Sequence, residues 1–165
     1  MPSNAIELLK AEAWDVVLDC SDNVNTRYLL NDACVLAGKP LVSACALAWE
    51  GNLTIYNYHG GPCYRCMFPE APPTCTVKNC RQMGVVGPVP GVLGTMQANE
   101  TIKLLIGRPD EELLVKRLVV YDALRMTCRT LKIRGRNPKC DVCGDEPKIK
   151  DTASYDYEGF CKKIS

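Results

Sequence analysis

The sequence predicts an α/β fold in which a mixed sheet is flanked by helices, and three observations carry that expectation. Two short apolar runs, at residues 14–19 and 41–47, flank a stretch with helical spacing. Alternating, β-rich segments follow at 52–58, 117–122 and 126–133. Two Cys-x-x-Cys pairs, far apart in the chain, are placed to staple the later segments together.

Residues 14–19 (WDVVLD) are almost wholly apolar with paired valines, as in a strand buried in a parallel sheet. The polar cluster Cys20-Ser21-Asp22-Asn23 follows at once. From Asn25 or Thr26 to Ala37, the residues Tyr28, Leu29, Ala33, Leu36 and Ala37 recur at helical spacing. Gly38 is placed to stop that helix and Pro40 to prevent its resumption. Residues 41–47 make the second strand, and strand, helix and strand in this span form a βαβ unit. Residues 52–58 (NLTIYNY) read as an additional strand. Residues 60–84, with Pro62, Pro69, Pro72 and Pro73, read as a long loop without regular structure. A helix over 89–106 is ended by Gly107 and Pro109, and a strand follows at 117–122. Residues 123–125 turn the chain back so that 126–133 becomes an antiparallel neighbour, and a short helix is expected within 151–161.

Composition narrows the functional classes. Twenty Lys and Arg oppose nineteen Asp and Glu, a net charge of +1, which argues against a dedicated nucleic-acid binder. No apolar run approaches the ~18 residues of a membrane span, and residues 1–10 lack the basic start and apolar run of a signal peptide. A cytosolic or nuclear protein is expected. Cysteine is the outlier at 11 residues, an odd number that cannot pair off completely.

The two pairs, Cys63/Cys66 and Cys140/Cys143, carry the strongest chemical signal. Each tight turn presents two sulfurs to one ion, and two such turns supply the four thiolates of a structural zinc site with no open position. Cys20, Cys34 and Cys45 lie in or beside the apolar pattern and read as small core residues. Cys75 and Cys80 lie in the long loop, and Cys80 stands between Lys78 and Arg81, where positive charge favours a thiolate. It reads either as a reactive thiol or as an ordinary surface cysteine. Asp19 and Asp22 flank the carboxyl end of the first strand, where open α/β sheets bind ligands. An aspartate there suits a magnesium ion bridging nucleotide phosphates, and Asn23 beside it the same ligand, while Asp and Asn are also favoured helix N-caps. The glycine-rich 84–94 stretch matches neither G-x-G-x-x-G nor a P-loop and reads as close helix packing or a loop-to-helix junction. The basic residues between Arg125 and Lys139 read as a solvated face, and His59 is not needed as a metal ligand.

Taken in order, DCSDN (19–23), NTRYLLNDACVLAGKPLVSA (25–44), GGPCYRCMFPE (60–70), Asn79-Cys80, GVLGTMQANETIKLLIG (91–107), YDAL (121–124), CDVCG (140–144) and DYEGFC (156–161) resemble the MoeB/ThiF family. These are ATP-dependent adenylyltransferases for ubiquitin-like sulfur carriers, related to ubiquitin-activating enzymes, and the likeness extends to the eukaryotic branch that adds sulfur transfer. The resemblance implies a Rossmann-like ThiF/MoeB fold of which residues 1–165 are the C-terminal part, with a catalytic-cysteine loop at about 67–90. It implies an enzyme that adenylates the C-terminal glycine of a small carrier, such as the molybdopterin-synthase small subunit or the ubiquitin-related modifier of tRNA thiolation. By the same resemblance, Asp22 holds magnesium, Asn23 contacts ATP, Cys80 takes the acyl group, and Cys63, Cys66, Cys140 and Cys143 hold zinc. The family also forms homodimers.

The chain departs from the pattern at both ends. The family's G-x-G-x-x-G turn and its phosphate-binding Arg and Lys are not in these 165 residues, nor is a rhodanese domain. The expectation is therefore a truncated form, inactive in adenylation by itself, with an open edge on its first strand. The alternative is a non-catalytic, zinc-stapled module that docks a carrier or a full-length partner subunit.

Overall fold

The computed structural model describes residues 4–71 and 84–162. Ten elements follow in order: α1 (Ala5–Ala11), β1 (Val17–Asp19), α2 (Val24–Leu36), β2 (Leu41–Leu47), β3 (Glu50–Tyr56), α3 (Tyr64–Met67), α4 (Pro88–Leu105), β4 (Arg117–Asp122), β5 (Thr127–Lys132) and α5 (Tyr157–Lys162). The five strands form one mixed sheet in the order β1-β2-β3-β4-β5. β1 and β2 are parallel, with Asp19 opposite Ser43, and every later pairing is antiparallel. The expected βαβ unit is therefore present. The hairpin at 123–126 also forms as the sequence indicates, with Asp122 Oδ1 accepting from Arg125 N at 2.9 Å.

The period-two alternation of β2 and β3 sends side chains to two different cores. Val42, Leu53 and Ile55 face α4, where Val89, Leu93 and Leu104 cover them. Leu41 and Tyr56 face the opposite side, against Tyr28 and Cys34 of α2 and Tyr157 of α5. Gly51 permits the close approach of α4, because a Cβ there would collide with the Leu93 side chain and lie 2.7 Å from the Cys45 carbonyl.

Three expectations are corrected. The first strand is only Val17–Asp19, shorter than residues 14–19, with the expected open edge, and Trp14 and Leu18 stay 47% and 39% exposed. Its apolar run lacks a neighbour on one side, so apolar composition does not translate into burial. The proline-rich stretch does contain regular structure, since α3 forms one helical turn between Pro62 and Pro69, opened by Cys63. Cys20 is exposed and Cys45 half-buried; of the three cysteines read as core, Cys34 alone is fully buried. Burial pushes the Cys34 thiol up to about 12. Iodoacetamide should therefore modify Cys20 in the folded protein and spare Cys34, as read by peptide mass spectrometry; equal labelling would contradict this packing.

Gly87, Gly91 and Gly94 face open space, so the 84–94 stretch is a loop-to-helix junction rather than a close-packing device. It is tied to the β2–β3 turn by hydrogen bonds between Ala48 and both Gly84 and Val86. Among the described residues, no helix is long and apolar enough to cross a membrane.

Candidate functional site: a strand-end cleft and a four-cysteine cluster

A cleft of about 430 Å³ opens at the carboxyl ends of β1 and β2. Asp19, Asp22, Asn23 and Arg27 line it on one side, and Leu93, Gly94 and Gln97 of α4 on the other. Asp19 is fully buried and accepts from Ser21 N and Oγ (2.9 and 2.6 Å), Ser43 Oγ (3.0 Å) and Arg27 Nε (3.0 Å). Burial opposes the charge of Arg27, yet Cys45 and Asp19 beside it raise its pKa overall. Gln97 reaches across from α4 and donates to the carbonyls of Asp19 (3.0 Å) and Val42 (2.9 Å), closing the floor where the parallel ladder ends.

Asp22 and Asn23 stand exposed at the rim of this cleft. Asn23 is the N-cap of α2, its Oδ1 accepting from Thr26 N at 2.8 Å, which satisfies an otherwise unpaired helix donor. The cap leaves its amide group directed to Asp22 Oδ1 at 3.4 Å. Asp22 accepts no other hydrogen bond among the described residues, so its carboxylate is available to a cation. Arg27 and Gln97 were not singled out by sequence reasoning. The one signal for Arg27 was its place in the first turn of a helix that starts beside the strand-end acid.

The four-cysteine cluster forms as the spacing indicates. The sulfurs of Cys63, Cys66, Cys140 and Cys143 all lie within 4.8 Å of one another. Individual Sγ–Sγ separations are 3.7 Å (Cys63–Cys66), 3.5 Å (Cys63–Cys140), 3.4 Å (Cys63–Cys143) and 3.3 Å (Cys66–Cys143). Four thiolates around one zinc at a bond length of about 2.3 Å would be separated by about 3.8 Å, so the set fits that ion. Asn137 N donates to Cys66 Sγ at 3.3 Å. Gly144 is required in the second turn, because a Cβ there would strike the Cys140 carbonyl. Hydrogen bonds among the sulfurs push the Cys63 and Cys143 thiols up and pull Cys66 and Cys140 down, Cys140 to about 6.

Cys80 and Cys75 lie outside the described residues. His59 pairs with Asp110 (2.7 Å) instead of joining the cysteines. Arg125 and Arg136 are paired with Asp122 and Asp145 on exposed surface, in keeping with a solvated basic face.

The ThiF family model matches residues 1–142. The chain belongs to the ThiF family. Similar relatives include the protein named adenylyltransferase and sulfurtransferase MOCS3 in Dictyostelium discoideum, 52% identical over 96% of this chain and 36% of that protein. The Sus scrofa protein of the same name is 52% identical over 97% of this chain and 34% of its own length. The chain thus spans about a third of the curated relatives it matches. Among solved structures, E. coli MccB shares the ThiF fold with a TM-score of 0.66 at 20% identity, over 87% of this chain and 43% of MccB.

Proposed function

We propose that residues 1–165 form the C-terminal part of a ThiF/MoeB-type adenylation domain. The enzyme uses ATP to activate the C-terminal glycine of a ubiquitin-like sulfur carrier and then transfers sulfur to it. The cleft at the ends of β1 and β2, rimmed by Asp22 and Asn23, is the observation that carries this reading. Ligands of α/β sheets bind at this position, where loops after parallel strands diverge.

In this reading each residue has a defined task. Asp22 holds the magnesium ion that accompanies ATP, and the ion offsets the negative charge of the phosphates. Asn23, held by the α2 cap with its amide group donating to Asp22, contacts the nucleotide beside the ion. The Asp19–Arg27 pair fixes the cleft wall, and the apolar side formed by Leu47, Val85, Pro90 and Leu93 keeps water from the activated carboxyl group. The Cys80 thiolate attacks the adenylate carbonyl to give a thioester with release of AMP, or, when a persulfide donor supplies a second sulfur, ends in an acyl-disulfide. Zinc at Cys63, Cys66, Cys140 and Cys143 is structural. The carriers are the molybdopterin-synthase small subunit and the ubiquitin-related modifier of tRNA thiolation, and the enzyme works as a homodimer in the cytosol.

Carrier-dependent ATP–pyrophosphate exchange tests the reading. In the full-length protein, Asp22→Ala is expected to lower exchange by about 10²-fold or more, because it removes the one carboxylate at the rim offered to the cation. The 165-residue chain alone, without a G-x-G-x-x-G turn, is expected to show none. Full exchange by the Asp22→Ala enzyme would overturn the assignment.

A further inference from the structure

One side chain joins the four-cysteine cluster to the C-terminal segment. Arg65 lies between the two thiols of the first pair and is only 2% exposed. Its Nε donates to Asp32 Oδ1 at 2.8 Å and its Nη2 to Asp32 Oδ2 at 2.8 Å. Asp32, fully buried on α2, also accepts from Tyr157 Oη of α5 at 3.0 Å. The rings of Tyr28, Tyr155 and Phe160 surround the guanidinium carbon at 4.8, 4.9 and 4.6 Å. Its Nη1 is buried without a hydrogen-bond partner among the described residues. Tyr155 packs both on the cluster that holds Cys63 and Cys140 and on the one that holds Tyr28 and Tyr157.

The two elements so joined are weak by themselves. α3 has four residues and α5 six, well below the length at which a helix sustains itself in water. The first Cys-x-x-Cys turn is fixed by the metal on one side and, on the other, by the Arg65–Asp32 pair together with Tyr64 N donating to Asn31 Oδ1 at 2.6 Å and Tyr28 Oη donating to the Phe68 carbonyl at 2.8 Å. What fixes the 155–161 segment is the same buried pair and the aromatic faces over it. An ion pair of this kind is strong only while water is kept out. In that arrangement Tyr155, Tyr157 and Phe160 shield it.

We infer that Arg65 couples metal retention at the four cysteines to docking of residues 155–161, which act as a latch over the metal site. The inference rests on the metal reading above. Loss of the metal frees the Cys63–Cys66 turn, lets water reach Arg65 and Asp32, and releases the segment. Undocking the segment loosens the turn and speeds metal loss.

The test uses the zinc-loaded full-length protein, its zinc content measured first. Zinc release to the chromogenic chelator 4-(2-pyridylazo)resorcinol is then timed for wild type, Tyr157→Phe and Phe160→Ala, which leave every cysteine and Arg65 in place. Release is expected to quicken by about tenfold in Phe160→Ala and by a smaller factor in Tyr157→Phe. Hydrogen exchange after chelation should show residues 155–161 losing protection while β2 and β3 keep theirs. Wild-type release rates in both variants would overturn the latch alone, as would loss of protection in β2 and β3 together with the segment. A wild-type protein without zinc would overturn the metal reading, and the latch with it.

Discussion

Serine in place of Cys63 is expected to abolish metal binding and to lower Tm sharply, releasing the Cys63–Cys66 turn and residues 155–161 while the cores on either face of β2 and β3 stay folded. Cys63 is 1% exposed, and its sulfur lies within 3.7 Å of the other three, so it is the most central of the four. A structural zinc site contributes on the order of 10 kcal/mol. A serine oxygen is a harder and much less acidic ligand, and it leaves three thiolates crowded in a buried site. Zinc quantification and thermal melting by circular dichroism check the outcome. A Cys63→Ser protein with a full complement of zinc and a wild-type Tm would contradict it.

The second large effect is expected at Asp19. Alanine there leaves the Arg27 guanidinium buried opposite Cys45 with no carboxylate, and strands the hydroxyls of Ser21 and Ser43. Breaking a buried pair from one side costs about 3–5 kcal/mol, which for a chain of this size lowers Tm by roughly 6–20 °C. Removing both partners in Asp19→Ala/Arg27→Met should cost less than Asp19→Ala alone, since no charge is then left stranded. Denaturant titration of the single and double variants measures the difference. A double variant less stable than the single one would show that packing, and not the unpaired charge, dominates.

Much of this architecture is legible in the sequence because it depends on local signals. Within the β1–α2–β2 unit, α2 is bounded by the polar cluster 20–23 at one end and by Gly38 and Pro40 at the other, and both mark changes of chain direction by backbone geometry. The metal cluster is legible because two residues between cysteines leave few ways to orient the sulfurs. What escaped is set by partners far away in the chain. Asp32 shares a face of α2 with Tyr28, one turn earlier, but nothing near it in sequence points to Arg65 or Tyr157. Gln97 looks like any polar residue of a helix until α4 is laid across the ends of β1 and β2. Cys20 was read as core because it follows an apolar strand, yet β1 is an edge and its end opens into the cleft. The short helices α1 and α3 were missed because neither is long enough to display a period.

The separation of the two knuckles in the chain sets an order of events in folding. Within each pair the cysteines are three positions apart, so either knuckle can close while the rest of the chain is disordered. Cys63 and Cys140 are 77 positions apart, and β4 and β5 both lie between them. Bringing two such distant points together carries a loop-closure cost of about (3/2)RT ln n, roughly 4 kcal/mol for this separation, and the strands in between reduce it once they have paired. Closing the complete tetrathiolate is thus expected to be easiest after sheet assembly. The cluster then acts as a kinetic seal, slowing escape from a topology that the hydrophobic cores have already selected.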